Sequence, residues 1–265
     1  MNRPGDLRAW AAALLLAPAF ARAQATTPLA WDADVFAAMR GRLAESDAPP
    51  TPTSRPTAPE DPDARARALF ARTLVVGASV SSDFRTASPG RRVARRLGTE
   101  GSLVEKARAG ASGASIVPTL TDDDFATATV VIGVDLFYWD SRRDCAGGLA
   151  AVDAFFKLAA VHRTPVVIGN VPALRAGPFG GGGACRDPLN ARIAAACAAA
   201  PGCALLDLDK LWSQAAAAGG LKIDGRRYTS AELLPDGLHP SDVASESIAE
   251  RIVALVDETP DPAKR

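Results

Sequence analysis

"ATVVIGV" (128–134) and "PVVIGNV" (165–171) are the two stretches whose reading decides the fold. Each is a short β-branched run with no alternation of polar and apolar residues. Such a run suits a strand buried on both faces, which is the habit of parallel sheets. Between them, residues 146–162 are rich in Ala, Leu and Val over a helical length. A strand, a helix and a second strand in that order make a parallel crossover unit.

Working outward, the same alternation continues. "TLVVGA" (73–78) is a further β-branched run ending in a glycine, "SLVEKA" (102–107) a weaker one, and "CALLDL" (203–208) a fifth. Helical segments are expected near 89–97 and 188–200, with a last helix over "ASESIAERIVALV" (244–256). The expectation is an α/β domain over 69–257, a three-layer α/β/α arrangement of flavodoxin-like type with a five-stranded parallel sheet. In such sheets the ligand site lies outside the carboxyl ends of the strands. "GASVSS" (77–82), "AGASGAS" (109–115), "GVDLFYWD" (133–140) and "DGLHPSD" (236–242) all fall just beyond strand ends on one edge.

The chain has 265 residues, of which 48% are hydrophobic, a globular composition with enough length for one full core. Residues 1–23 read as an export signal. Arg3 and Arg8 supply the positive end, "WAAALLLAPAFA" (10–21) the short apolar region, and Ala21-Arg22-Ala23 the cleavage site. The exported chain then begins at Gln24. It holds 27 basic and 29 acidic residues, a balance that argues against a nucleic-acid partner. Arg91, Arg92, Arg95 and Arg96 cluster, but as the solvated face of a helix whose apolar side carries Val93 and Leu97. No segment after residue 23 reads as long and apolar enough to be a transmembrane helix, so the product is expected in the periplasm or secreted. Residues 24–68 combine a short helical pattern, "DADVFAAMRGRLA" (32–44), with the Pro-rich "APPTPTSRPTAPEDPD" (48–63), a linker or surface wrap. Residues 258–265 are a C-terminal tail.

Export changes the reading of Cys145, Cys185, Cys197 and Cys203. An even count in an oxidising compartment points to two disulfides, and four cysteines allow three pairings. Cys197 and Cys203 flank the turn "AAAPG" (198–202), so they are paired with each other and Cys145 with Cys185. A zinc site is disfavoured because no Cys-x-x-Cys and no neighbouring His accompanies them. The glycine-rich "GPFGGGGAC" (177–185) lacks the Lys-Ser/Thr of a phosphate loop and reads as a rim loop tied down by Cys185.

The chemistry is concentrated in few residues. Ser79 stands at the turn after the first strand, and a serine hydroxyl becomes a nucleophile only when a base takes its proton. The chain has two histidines. His162 sits at a helix end, where a cation suits the helix dipole, and receives no role. His239 is therefore the candidate base. Asp236, three residues earlier, can accept from its other ring nitrogen and stabilise the imidazolium. Donors for the developing oxyanion are expected from the backbone N–H groups of Ser79 and Gly113, with Gly110 the weaker choice. Phe137, Tyr138 and Trp139 form either a stacking wall for a sugar or acyl group or packing that fixes the loop to the core.

The order of these pieces resembles the SGNH hydrolases, also called GDSL esterases: Gly-Ala-Ser after strand one, Ser-Gly after strand two, and Asp-x-x-His before the last helix. "DGLHPSD" is the most specific piece, and "GNVP" (169–172) and "LNARI" (189–193) also look like the family. The resemblance covers roughly 69–257 and implies acyl-ester hydrolysis through an acyl-serine without metal or cofactor. The implied substrates are small-molecule or glycan esters. Two departures stand out. Ala78 occupies the place of the family's Asp before the nucleophile. Gly133-Val134-Asp135-Leu136 stands where the family has Gly-x-Asn-Asp. Either Asp135 replaces the oxyanion-binding Asn, or it matches the following Asp and braces the loop. An ionised carboxylate only accepts hydrogen bonds, so in the first case it opposes catalysis unless protonated. In that case Asp135→Asn raises turnover; in the second it lowers stability or does little.

Overall fold

A computed structural model describes residues 64–174 and 183–258. The export-signal segment, the helical pattern at 32–44, the Pro-rich stretch, most of the glycine-rich loop and residues 259–265 lie outside the described residues.

The described chain runs through α1 (Ala64–Leu69), β1 (Thr73–Gly77), α2 (Pro89–Arg96), β2 (Val104–Ala107), α3 (Gly113–Ile116) and α4 (Asp122–Thr127). It continues through β3 (Val130–Gly133), α5 (Asp140–Arg143), α6 (Cys145–His162), β4 (Val166–Gly169), α7 (Arg186–Ala199) and β5 (Cys203–Leu206). It ends with α8 (Leu208–Ala217), a hairpin of β6 (Leu221–Ile223) and β7 (Arg226–Tyr228), α9 (Ser230–Leu233) and α10 (Asp242–Glu258). Strands β2-β1-β3-β4-β5, in that spatial order and all parallel, form the five-stranded sheet, and helices cover it. The fold is thus the expected α/β sheet, with every strand where its sequence run stands.

All residues of β1, β3 and β4 are buried, which is why these runs are apolar without alternation. The flanking β2 is partly exposed and its sequence correspondingly mixed. Helices α1 and α2 pack with α10, while α4 and α7 pack against α6. The arginines of α2 do more than face solvent. Arg91 reaches Glu105 at 3.0 Å, Arg92 reaches Glu246 at 3.1 Å and Arg96 reaches Glu250 at 3.4 Å, so the helix is laced to β2 and α10 while Val93 and Leu97 enter the core.

Helix α6 corrects one expectation. By length and composition it could cross a membrane, so the described chain does contain such a segment. Its Val152, Phe155 and Phe156 are buried here against the rest of the domain. His162, at its end, holds Asp122 at 2.8 Å.

Both disulfides form as paired from the sequence, with Cα separations of 5.3 Å for Cys145–Cys185 and 5.2 Å for Cys197–Cys203. The first closes 40 residues and the second 6. Loop-closure entropy then assigns about 4 kcal/mol to the first and about 2 kcal/mol to the second. Replacing Cys145 and Cys185 together by Ser should lower unfolding free energy about twice as far as replacing Cys197 and Cys203, measured by denaturant titration. Thiol titration of the denatured, unreduced protein should find essentially no free sulfhydryl.

Candidate active site

The sheet order places the topological switch between β1 and β3, where chain connections leave in opposite directions. The segments after these two strands meet there. Ser79 follows β1, and Asp135 follows β3. Gly77 has φ of +150°, and a side chain on it would collide with Ser81 and come within 2.6 Å of an Asp135 carboxylate oxygen. Glycine is what allows the two turns to close on each other.

Asp135 is half-buried, and its carboxylate straddles the serine turn. One oxygen accepts from the Ala78 N–H at 2.9 Å and the Ser81 hydroxyl at 2.7 Å; the other accepts from the Val80 N–H at 2.8 Å. Burial pushes its carboxyl up, against the pull of these donors. Of the two placements weighed from the sequence, this is the brace. The assignment of Asp135 to the oxyanion hole is corrected: its acceptor oxygens are spent on the turn. Both neighbours of Ser79 give their N–H groups to Asp135. Among the described residues the Ser79 N–H donates to no such acceptor.

The second expected donor is also corrected. The Gly113 N–H donates to Asp140 Oδ2 at 2.5 Å, and the Ala114 N–H to Asp140 Oδ1 at 2.9 Å. Asp140 is buried, and burial pushes its carboxyl up against the pull of those two amides. It fixes the first turn of α3 to α5 and leaves the Gly113 amide occupied. The sequence offered no sign of this partner, since it lies 27 residues away.

His239 arrives from the other side, on the segment between α9 and α10. Its Nε2 is 2.9 Å from Ser79 Oγ and its Nδ1 2.7 Å from Asp236 Oδ2. Asp236 Oδ1 accepts from the N–H groups of His239 at 2.7 Å and Leu238 at 3.0 Å, so the loop holds its own acid in place. Burial works upward on the Asp236 carboxyl, but the His239 and Leu238 amides and the His239 ring outweigh it and bring it down to about 2. Ser79 is 5% exposed and His239 9% exposed. The three side chains named from the sequence therefore stand in one hydrogen-bonded line. Such a line can take a proton from the serine and return it to a leaving group.

An apolar crevice lies beside Ser79, lined among others by Val80, Phe137, Tyr138, Trp212 and Leu238. Phe137 and Tyr138 are buried, so these rings pack the loop onto the core, and they also line the crevice; Trp139 is half-buried and is not part of that lining. The "GNVP" and "LNARI" pieces meet as well. Asn190 donates to the Val171 carbonyl at 2.9 Å and accepts from its N–H at 2.7 Å, clamping the loop after β4. Among the described residues no group of three or more His, Cys, Asp or Glu is gathered to hold a metal ion.

No family model and no curated protein matches this sequence. Solved structures similar to it include a GDSL-like lipase from Bacteroides thetaiotaomicron, 14% identical over 71% of this chain and 87% of that one, with a TM-score of 0.49. Also similar is the psychrotrophic esterase EstA from Pseudoalteromonas sp., 12% identical over 71% of this chain and 97% of that one, again with a TM-score of 0.49.

Proposed function

We propose that this protein is a serine esterase of SGNH type that cleaves short acyl esters through an acyl-serine. The observation that carries the reading is the continuous hydrogen-bonded line Ser79–His239–Asp236. In the first half-reaction Ser79 Oγ bonds to the ester carbonyl carbon while its proton passes to His239 Nε2. The new positive charge on the ring is held by the ionised Asp236. The Ser79 N–H donates to the developing oxyanion. Collapse breaks the bond to the alcohol oxygen, which leaves with the proton from His239. A water molecule then attacks the acyl-serine with His239 again taking the proton, releasing a carboxylic acid and restoring Ser79.

With the Gly113 amide held by Asp140 and no Asn in place of Asp135, the oxyanion has fewer donors than the family resemblance implies. One such donor is worth about 3 kcal/mol, so turnover of simple esters is expected to be low. Acyl transfer to an acceptor other than water passes through the same acyl-serine, and acetylated glycans and small lipid esters are the candidate substrates. Two disulfides accord with an exported enzyme in an oxidising compartment.

A fluorophosphonate tests the reading, because it reacts covalently only with an activated serine. Labelling is expected on the peptide containing Ser79 and on no other serine. A folded protein that takes up no label would replace the esterase with a domain that binds envelope polysaccharide or a protein without turnover.

A further inference from the structure

The turn between β1 and α2 carries an aromatic ring that nothing in the acyl-serine chemistry yet uses. Phe84 is 45% exposed, and its ring centroid lies 5.0 Å from that of His239 at a tilt of 52°. The backbone on both sides of it is in the left-handed region, with φ of +53° at Asp83 and +73° at Arg85. Aspartate visits that conformation more readily than most residues and arginine seldom does, and here the surroundings hold both. Asp83 accepts from the Ser88 N–H at 2.6 Å and is also bound by Arg91 Nε. Arg85 Nε stands 3.3 Å from Asp236 Oδ2, and its guanidinium lies 5.8 Å from the centre of the Phe84 ring. The turn is thus clamped at both ends, and the effect of the clamp is to hold an apolar ring in water beside the imidazole.

Chemistry says what passes that point. His239 Nε2 must hand its proton to the oxygen of the departing alcohol, so the alcohol lies against the imidazole. The apolar crevice of Val80, Phe137 and Leu238 borders Ser79 and suits the acyl group. Among the described residues the large apolar side chain exposed next to the imidazole is Phe84. We propose that Phe84 is the platform for the alcohol part of the ester, and that it selects alcohols presenting a flat apolar face, an aryl ring or the C–H face of a pyranose. The inference rests on the acyl-serine reading above and adds the substrate class of its leaving-group side.

The test compares kcat/KM for ethyl acetate, benzyl acetate and methyl 6-O-acetylglucoside in the wild type, Phe84→Ala and Phe84→Trp. Phe84→Ala is expected to lose about three- to tenfold on the esters with ring-bearing alcohols. On ethyl acetate it should stay within about twofold, a change too small to count as a stacking contact. Phe84→Trp should keep or exceed the wild-type preference. Loss on benzyl acetate alone restricts the class to aryl alcohols, and loss on the glucoside alone to sugars. An equal fall on all three esters means that Phe84 only packs His239, and it overturns the platform. So does no change on any of them. Failure of the wild type to turn over all three, with Ser79 unlabelled by the fluorophosphonate, overturns the esterase reading and the platform together. A labelled Ser79 without alcohol preference overturns the platform alone.

Discussion

Ser79→Ala is expected to lower kcat/KM for p-nitrophenyl acetate by about a thousandfold or more, while leaving the fold intact. The side chain removed is small and buried, and the hydrogen bond it loses is the one to His239 Nε2. Thermal unfolding should therefore shift by no more than the equivalent of about 1 kcal/mol. His239→Ala should fall nearly as far, since neither residue acts without the other. The double variant should be no worse than either single one, because residues that work as a unit are not additive. Asp236→Asn is a more specific probe. Its acid is held at about 2, so it is ionised throughout the range in which esters are assayed. The depressed value also means that its contribution to stability is present above the ordinary carboxylate range and is lost as pH falls through about 2. An amide there must turn its NH2 group either toward the His239 ring or toward the backbone N–H groups of Leu238 and His239. A loss of about a hundredfold or more is expected, with KM little changed. Full activity in purified Ser79→Ala would remove the acyl-serine from this protein altogether.

The sheet could be read from the sequence because its central strands are buried on both faces, and burial on both faces demands runs such as "VVIG". The Ser79, Asp236 and His239 line could be read because strand ends gather on one edge. What failed was what depends on partners distant in the chain. Gly113 looked like a free donor because a glycine after a serine says nothing about Asp140, 27 residues later. Phe84 drew no notice because left-handed backbone at Asp83 and Arg85 leaves no mark in residue type, unlike a glycine turn. Other omissions had a signal. Asp224-Gly225 joins β6 to β7 with φ of +48° and +81°, the hairpin turn that an Asp-Gly pair favours. Asp207 caps α8 by accepting from the Lys210 N–H, an ordinary helix start. Of the segment left as linker, Ala64–Leu69 is helical, with Ala66 buried.

Asp135→Asn carries the second large effect, and its sign separates two chemistries. In the structure the carboxylate accepts from the Ala78 and Val80 amides and the Ser81 hydroxyl, and the Ser79 N–H lies between those two amides in the chain. Asparagine has one acceptor oxygen. Whichever way it turns, its NH2 group faces an N–H that can only donate, and at least one buried amide loses its partner. That costs about 1–3 kcal/mol, seen as a lower midpoint in denaturant. The serine turn then relaxes away from His239. A nucleophile misplaced by an ångström costs about a hundredfold, so kcat should drop about ten- to a hundredfold with KM nearly constant. Asp135→Ala, which removes both acceptors, should be worse on both measures. Because the carboxylate acts through the turn, Ser79 should also react more slowly with the fluorophosphonate, a readout that lost stability alone would not move at temperatures well below unfolding. Had Asp135 faced the oxyanion, the asparagine would have supplied a donor and raised turnover by about a hundredfold. A faster variant at neutral pH, with stability unchanged, would overturn the brace.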